Sequence, residues 1–467
     1  MEIVTKTQRF RLSYEGLFLK NEKRFITDDK RKKMEKRKTL ELRKKYINPS
    51  LRLSYKEPVK IVRGFLQYLY DEKGKKYLDA RNNVPHVGHC HPKVIQAAQR
   101  QLCVLNSNTR YLHDNLVLYA EKLSSKMPEP LKICTLVNSG SEANDLALRM
   151  AWAYTKEKDI IVIDQAYHGN LSSLIDISPY KFNGKGGKGA PPHVHKVDTP
   201  DGYRGKYRYR DSLSGKKYAE QIRTVIKQMH REGKGLAAFI SESLMGCAGQ
   251  VIFPEGFLSH AYHHVRNAGG ICISDEVQIG FGRVGSHFWG FETQEVVPDI
   301  VTLGKPIGNG FPLAAVITKP EIAAAFDNGM EYFNTFGGNP VSCAVGIAVL
   351  EVIQEEDLMG NAQRTGMYFK KKLEKLKNKY PLIGDVRGKG LFLGVELVSN
   401  KEALTPAIKQ ADYIVERMKE EGILISTDGR FQNVLKIKPP LVFTQDDVDF
   451  FVSALDKVLA EDKASPV

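Results

Sequence analysis

The feature that most constrains the fold is an alternation of short apolar runs with longer segments of helical periodicity. The runs predicted to be strands are 133–137, 160–163, 236–241, 271–274 and 300–303. Helical segments begin near residue 142, after the first of these strands, and near residue 256. Strands that alternate with helices are typical of parallel sheets covered by helices on both faces. The sequence therefore predicts an α/β protein with a large, doubly wound, mostly parallel sheet.

The length of the chain and a change of pattern near residue 360 predict more than one structural unit. A chain of 467 residues is long enough for about two to four domains. Strands around 384–397 and helices at 367–379, 407–421 and 444–459 indicate a small α+β domain at 361–460. We expect the N-terminal part of that domain at 46–105, with a hairpin turn at 71–74, and the large domain at 106–360. Residues 461–467 are predicted to be a tail.

Positive charge is concentrated at the start of the chain. The net charge is +15, and residues 1–45 contribute +9 of it, from 16 Lys and Arg against 7 Asp and Glu. The simplest interpretation of this leader is a solvated, poorly ordered extension. The alternatives are a mitochondrial presequence, which its acidic residues disfavour, and a nucleic-acid contact, which lacks an aromatic-lined basic groove.

Composition and motif context argue against several classes of protein. Hydrophobic residues make up 42% and charged residues 26%, values that are ordinary for a globular protein. No run approaches the roughly 20 apolar residues of a membrane-spanning helix. None of the six cysteines forms a C-x-x-C pair, and the histidines at 193–195 and 263–264 lack accompanying carboxylates, so no metal site is predicted. The G-x-G-x-x-G string at 184–189 has no strand before it and no helix after it, so we expect a flexible loop there.

Two elements have the features of a site for a phosphorylated aromatic ligand. At 138–142 a predicted strand meets a helix, and Gly140 lets a ligand approach the backbone where free N–H groups and the helix dipole favour an anion. Ser141 is also a suitable N-cap for this helix. Tyr167 follows the 160–163 strand, and an aromatic side chain at that place can stack on a planar ring.

Two further strands end in charged residues. Asp275 ends the 271–274 strand and Lys305 follows the 300–303 strand. The carboxyl ends of parallel strands are where open α/β sheets bind ligands. A carboxylate there can hold a pyridinium proton, and a lysine can form a Schiff base. With the phosphate cradle and the aromatic ring, these residues account for every part of pyridoxal 5'-phosphate, which is the cofactor we predict.

From about residue 55 to 460 the sequence resembles the class-III pyridoxal-phosphate aminotransferases, which have fold type I. The matching motifs, in family order, lie at 88–92, 139–144, 167–169, 274–278, 280–283, 304–306, 335–340 and 387–390. The resemblance implies that Lys305 carries the cofactor and acts as the catalytic base. It also implies that Asp275 pairs the pyridine nitrogen, and that Thr335 reaches the cofactor phosphate of a neighbouring subunit in a homodimer. The other implied cofactor contacts are Gly140, Ser141, Tyr167, His168, Glu242 and Gln278.

Several stretches are most similar to the phospho-lyases of this family, which act on ethanolamine phosphate or 5-phosphohydroxylysine. They lie at 83–92, 110–115, 171–182, 203–208, 330–335 and 435–440. Within 242–249, Cys247 stands where aminotransferases of the family have a second glutamate, which in some relatives pairs the arginine matching Arg387. The replacement implies that Arg387 is a freer cation, able to bind substrate phosphate. The alternative is that Cys247 is only a change in packing. Other candidate cations are Lys181, Arg204 and Lys206.

We therefore predict a phospho-lyase that eliminates phosphate and ammonia from a small phosphorylated amine. Asn339 and Cys247 favour ethanolamine phosphate, which would give acetaldehyde. Tyr111, Phe336 and residues 426–428 favour 5-phosphohydroxylysine, which would give 2-aminoadipate semialdehyde, so the substrate stays open. The alternatives are a class-III ω-aminotransferase and a nucleic-acid-associated protein acting through the leader. The predicted compartment is the mitochondrion or the cytoplasm, with the mitochondrion preferred.

Overall fold

The computed structural model describes residues 34–464, and the chain divides into two compact units at Lys60/Ile61. In the first unit, helix α1 (Lys36–Tyr46) has a basic last turn and no buried residue. This helix begins within the stretch for which the sequence predicts a poorly ordered extension. Residues 1–33 of the predicted leader and 465–467 of the predicted tail lie outside the described residues.

The second unit begins with three antiparallel strands. They are β1 (Ile61–Phe65), β2 (Tyr68–Asp71) and β3 (Lys76–Asp79). Strands β2 and β3 form the hairpin predicted around 71–74, and Gly74 takes a φ of +84° in its turn. The apolar run at 65–70 is divided between β1 and β2, because Leu66 turns the chain with a φ of +48°.

A seven-stranded sheet forms the centre of this unit. Its strands are β4 (Ile133–Val137), β5 (Asp159–Ile163), β6 (Val194–Val197), β7 (Leu236–Glu242), β8 (Ile271–Asp275), β9 (Ile300–Leu303) and β10 (Ala314–Thr318), in the spatial order β4-β10-β9-β8-β7-β5-β6. All pairs are parallel except those of β10, which is antiparallel to β4 and β9. The predicted doubly wound, mostly parallel sheet is confirmed, and the five predicted strands are present to within one residue.

Helices flank this sheet and bury both of its faces. They are α2 (Pro92–Leu102), α3 (Asp114–Ser124), α4 (Gly140–Thr155), α5 (Ser172–Asp176), α6 (Pro179–Phe182), α7 (Ser214–Arg231), α8 (Phe257–Asn267), α9 (Pro320–Phe326) and α10 (Pro340–Glu355). The apolar faces of α4 and α7 pack in two different buried clusters, which also contain alternate side chains of β5 and β7. Helix α10 starts at Pro340 because the Asn339 side chain caps it by accepting a hydrogen bond from the Ser342 amide.

The C-terminal part is a mixture of strands and helices, as predicted. Strands β11 (Ile383–Lys389), β12 (Phe392–Asn400), β13 (Thr405–Pro406), β15 (Ser426–Asp428) and β16 (Val434–Ile437) form an antiparallel sheet, and β14 (Ile423–Leu424) pairs with β3. The helices are α11 (Leu358–Lys379), α12 (Ile408–Glu420) and α13 (Gln445–Leu459), the last closed by a capping box on Thr444. One buried cluster holds side chains from both sides of residue 360, such as Leu313 and Leu435, so the predicted domain boundaries stay a prediction.

The topology brings the ends of several strands to one edge of the large sheet. Glu242 at the end of β7 pairs in register with Asp275 at the end of β8, and Asp275 pairs with Thr302 of β9. Strand β9 leads directly into Lys305, which begins a short 3-10 helix. Polar and charged side chains therefore gather at the carboxyl edge, as expected for an open α/β sheet.

Candidate active site

A cavity of about 460 Å³ opens at this edge of the sheet. Eight of the nine predicted cofactor residues line it: Gly140, Ser141, Tyr167, His168, Glu242, Asp275, Gln278 and Lys305. Residues from the start of α4, the loop after β5 and the ends of β7, β8 and β9 thus meet around one space. The ninth residue, Thr335, is exposed and does not line this cavity.

The start of α4 forms a narrow cradle with free backbone donors. Helix α4 begins at Gly140, and its N-cap is Ser139, whose hydroxyl accepts a hydrogen bond from the Glu142 amide at 3.2 Å. The prediction of Ser141 as the N-cap was wrong, because Ser141 lies inside the first turn and its Oγ accepts from the Asn170 amide at 3.1 Å. A Cβ added to Gly140 would lie 2.8 Å from Cγ1 of Val277, so only glycine leaves this space open.

Asp275 is buried and held by three donors. Its Oδ2 accepts from the Asn144 side chain at 2.9 Å and lies 2.8 Å from Nδ1 of His168. Its Oδ1 accepts from the Val277 amide at 3.1 Å. Oδ2 is fully occupied, whereas Oδ1 keeps room for another donor, so the carboxylate can receive a protonated ring nitrogen.

Lys305 extends into the same cavity from a strained backbone position. Its φ is +36°, in the left-handed region that a residue with a side chain seldom adopts, and such strain is concentrated at functional sites. Burial lowers the pKa of Lys305, while the negative charges of Asp275 and Glu242 act in the opposite direction. A lowered pKa leaves more of the amine neutral at a given pH, which suits both a nucleophile and a base.

A buried acid and a buried lysine stand beside Gln278 at the wall of the cavity. Burial raises the pKa of Glu242 to about 7, and its Oε1 has no hydrogen-bond partner among the described residues. Lys438 is fully buried and donates to Oε1 of Gln278 at 3.1 Å. Burial and the nearby charge of Lys436 lower the pKa of Lys438 to about 8. Sequence reasoning assigned no role to Lys436 or Lys438, although it singled out the stretch at 435–440 that contains them.

Arg387 is not the free cation that the sequence implied. Its Nη1 lies 2.7 Å from Glu396 and 3.0 Å from Asp385, and its Nε donates to the Gly249 carbonyl at 2.8 Å. Although burial acts to lower the pKa of Arg387, the carboxylates of Glu396, Asp201 and Asp385 raise it above its ordinary value. The expected loss of a carboxylate at Cys247 is thus compensated by two acids that reach Arg387 from its own hairpin.

Arg387 also lines a different cavity, of about 380 Å³. The lining of this second cavity includes Glu396, Arg204 and Lys206. Arg204 forms an ion pair with Glu396 there. Lys181 lies 5.5 Å from the centre of the Tyr167 ring, so among the cations named from the sequence it is the one beside the cofactor cavity. Cys247 is partly exposed, and burial raises the pKa of its thiol to about 12, so the thiol is neutral near pH 7.

The glycine-rich string and the histidine stretches named from the sequence do not line the cofactor cavity. The string at 184–189 is an exposed loop between α6 and β6, and His195 pairs with Asp159 at 2.7 Å. Within residues 34–464, no group of three or more potential ligands has the arrangement of a metal site. In the same range no helix has the length and hydropathy needed to cross a bilayer.

The side chains around the cavity fit pyridoxal 5'-phosphate. The glycine cradle at the start of α4 suits a phosphate, and an unpaired position on Asp275 suits a pyridinium N–H. The largely buried amine of Lys305 suits a Schiff base with an aldehyde. The fold and the site therefore define a pyridoxal-phosphate-dependent enzyme of fold type I.

Comparisons with known proteins agree. The family model described as aminotransferase class-III matches residues 53–459. The chain is 51% identical to a Drosophila melanogaster protein named alanine–glyoxylate aminotransferase 2-like, over 90% of this chain and 86% of that protein. It is 43% identical to ethanolamine-phosphate phospho-lyase homolog 1 of Caenorhabditis elegans, over 91% and 93%. The chain belongs to the class-III aminotransferase family.

A solved structure has a similar fold over most of its length. It is a phospholyase from Arthrobacter in complex with phosphoethanolamine, with a TM-score of 0.86 and 40% identity, covering 91% of this chain and 99% of that one. Two further relatives, from Arabidopsis thaliana and Homo sapiens, are named as mitochondrial alanine–glyoxylate aminotransferases. Relatives of both activities, lyase and transaminase, thus resemble this chain.

Proposed function

We propose that this enzyme is a phospho-lyase that acts on a primary amine whose neighbouring carbon bears phosphate. The observation that carries the proposal is Lys438, a fully buried cation beside the cofactor cavity and outside the cofactor's phosphate cradle. A buried charge is costly unless opposite charge offsets it, and the carboxylate of Asp428 lies 3.8 Å from Nζ of Lys438, which leaves room for a ligand to supply that charge at closer range.

The charges around Lys438 leave room for an anion. Lys436 and Lys438 lie 3.5 and 3.8 Å from the same carboxylate oxygen of Asp428. The acids near these lysines are Asp428 and Glu242. Burial lowers the pKa of Lys305, and the charge of Lys436 acts in the same direction. A dianionic phosphate bound between the cofactor and these lysines would be a closer counter-ion for Lys438 than Asp428 is.

In the proposed reaction, one residue removes the proton and other residues bind the leaving phosphate. When bound, pyridoxal 5'-phosphate acts as an electron sink for the carbon that carries the amine. Nζ of Lys305 takes the proton from that carbon, and the carboxylate of Asp275 keeps the ring nitrogen protonated. Lys438 and Lys436 hold the phosphate as its C–O bond breaks and it leaves with the electron pair. For ethanolamine phosphate, the sum is substrate plus water giving acetaldehyde, ammonia and phosphate.

The second candidate is a class-III ω-aminotransferase, which the names of several relatives favour. That reaction needs a keto acid to regain the amine and leaves any phosphate on the substrate. It gives Lys438 no anionic ligand, since an ω-aminotransferase substrate need not carry a phosphate. The choice between ethanolamine phosphate and 5-phosphohydroxylysine stays open, because both contain the same reacting unit.

We also propose that the active enzyme is a homodimer. Two segments near Thr335 carry large apolar side chains that are exposed: Tyr111, Leu112, Met330, Phe333 and Phe336. The two segments that carry them are joined by an ion pair between Arg110 and Glu331 at 2.9 Å. An apolar surface of this kind is typical of an interface, and it would bring Thr335 to a second copy of the chain. The proposed compartment is the mitochondrion, supported by the names of two relatives.

Substitution of Lys438 tests the proposed phosphate contact. Loss of a charged contact in a dry site costs roughly 2–4 kcal/mol, so Lys438→Met should lower kcat/KM for phosphate release by about 30- to 1000-fold. The control is Lys419→Met, which removes another buried lysine, paired with Glu416 at 2.6 Å on α12. Equal rates of phosphate release in the wild type and in Lys438→Met would contradict the proposed contact.

A further inference from the structure

We propose that Asn144 and Thr302 are positioning residues that orient the Asp275 carboxylate, and so set the protonation of the cofactor's ring nitrogen. The inference rests on the proposed pairing of Asp275 with that nitrogen, and it holds equally for a lyase and for an aminotransferase.

Asn144 joins three elements of the site from one buried side chain. It lies in the first turns of α4 and is 1% exposed. Its Nδ2 donates to Oδ2 of Asp275 at 2.9 Å and to the carbonyl of His168 at 2.6 Å. Its Oδ1 accepts from the hydroxyl of Thr302 at 2.6 Å. Every hydrogen-bonding position on the amide nitrogen is therefore used, and the amide is fixed between the end of β8 and the loop after β5.

The orientation of this amide follows from the chemistry of its partners. An ionised carboxylate and a backbone carbonyl accept hydrogen bonds and cannot donate them. The NH2 group must then face both Asp275 and His168, which turns Oδ1 of Asn144 toward Thr302. The Thr302 hydroxyl has to donate, and it is buried on β9 directly beside Asp275 in the sheet register.

The network acts on one oxygen of Asp275 and leaves the other available. Donors from Asn144 and His168 converge on Oδ2 and fix the carboxylate, while Oδ1 accepts from the Val277 amide and keeps room for a second donor. Without the Asn144 amide, the carboxylate loses its link to α4 and its fixed orientation toward the ring nitrogen.

The test measures the ring nitrogen directly and does not depend on turnover. Each protein is reconstituted with pyridoxal 5'-phosphate labelled with 15N in the ring, and the nitrogen resonance of the holoenzyme reports its protonation. Asp275→Asn gives the reference for an unprotonated ring. The matched control is Thr318→Val, because Thr318 is also a fully buried strand threonine whose hydroxyl donates, here to the Asp299 carbonyl at 3.2 Å.

We expect the Asn144→Leu resonance to move toward the Asp275→Asn position, and the Thr302→Val resonance to move the same way by less. Thr318→Val should keep the wild-type resonance. For Asn144→Leu, kcat should fall by about 10-fold or more with KM within about 3-fold, because the loss affects the transition state more than substrate binding.

Two results would overturn the proposal. If Asp275→Asn shifts the resonance while Asn144→Leu and Thr302→Val keep the wild-type value, the two residues do not set the ring's protonation. If Asp275→Asn itself leaves the resonance unchanged, the pairing of Asp275 is wrong and the inference falls with it. Should Asn144→Leu fail to fold, Thr302→Val decides alone, since it removes one hydroxyl and keeps the amide.

Discussion

At the scale of single residues, the site contains ionisable groups whose pKa values are shifted by burial. Glu242 has a raised pKa of about 7, and Lys438 has a lowered one of about 8, both chiefly because they are buried. Groups of this kind are expensive for the folded protein and are typical of functional sites. Their cost in stability can be measured separately from their effect on the reaction.

The first prediction concerns the stability of the cofactor-free protein. Because folding lowers the pKa of Lys438 from about 10.5 to about 8, the protonated lysine destabilises the fold below pH 8. The penalty fades as the pH rises toward 10.5. Lys438→Met should therefore raise the free energy of unfolding by roughly 1–3 kcal/mol at pH 7 and by less at pH 9.5. Urea unfolding at the two pH values checks this, and a variant less stable than wild type at pH 7 would be incompatible with a strained buried charge.

The second prediction concerns Cys247, which neighbours the same cations. Burial raises the pKa of its thiol, Asp428 and Glu242 raise it further, and the charges of Lys438 and Lys436 act in the opposite direction. A carboxylate introduced by Cys247→Glu would compete with a substrate phosphate for the two lysines, so we expect kcat/KM for phosphate release to fall by about 10-fold or more. Cys247→Ser keeps the side chain small and neutral and should stay within about 3-fold of wild type. Equal activity of the Glu and Ser variants would remove Cys247 from the phosphate site.

At the scale of secondary-structure elements, the sequence predicted the strands of the large sheet well. Strands β8 and β9 are mostly apolar runs, with Asp275 at the end of β8 and Lys305 two residues after β9, and such runs are typical of buried parallel strands. Strand β10 was missed because it begins with two alanines, which have low strand propensity. The connection from β9 to β10 also lacks the α-helical period that usually joins two parallel strands. The antiparallel pairing of β10 with β4 also could not be predicted, because β4 lies far earlier in the chain.

Contacts between side chains were the part of the site that the sequence predicted least well. Arg387 and Glu396 face each other only because β11 and β12 form a hairpin whose register pairs Arg387 with Gly394. Lys438 meets Gln278 from 160 residues away. Motifs placed Asp275 and Lys305 at one sheet edge, since strand ends are visible in a sequence, whereas these partners depend on three-dimensional packing.

The third prediction tests the cradle at the start of α4. Gly140→Ala should weaken binding of pyridoxal 5'-phosphate, because the new Cβ would lie 2.8 Å from Val277 and displace the helix start. We expect a rise in Kd of about 10-fold or more, measured by fluorescence titration of the cofactor-free protein. The double variant Gly140→Ala/Val277→Ala restores the space and should recover most of the affinity. If the double variant binds the cofactor as weakly as Gly140→Ala, the close approach to Val277 is not the reason that residue 140 is a glycine.

At the scale of the whole molecule, the cofactor cavity of one chain lacks one of the residues implied by the family motifs. Thr335 lies outside the cavity of its own chain, within an exposed apolar surface. A second copy of the chain would cover that surface and complete the site, so assembly and cofactor binding should depend on each other.

The fourth prediction tests this dependence. Leu112 is fully exposed in the single chain, so Leu112→Glu should leave the fold intact but place a charge in the proposed interface. We expect a monomer by sedimentation velocity at micromolar concentration, with cofactor affinity reduced about 10-fold or more. Phe450→Glu, at an exposed position on α13, is the control and should remain dimeric. A Leu112→Glu protein that sediments as the wild-type dimer would place the interface elsewhere.

The most direct test of the central claim counts turnovers on a phospho-amine in the absence of any keto acid. Holoenzyme is mixed with excess ethanolamine phosphate, and separately with 5-phosphohydroxylysine, and released phosphate and ammonia are measured per active site. A lyase regenerates its cofactor in each cycle, so we expect many turnovers with equal amounts of phosphate and ammonia on at least one substrate, and none with Lys305→Ala. An aminotransferase would consume at most one amine per site, release no phosphate and then stop until a keto acid is added. That second result, on both substrates, would contradict the assignment of this enzyme as a phospho-lyase.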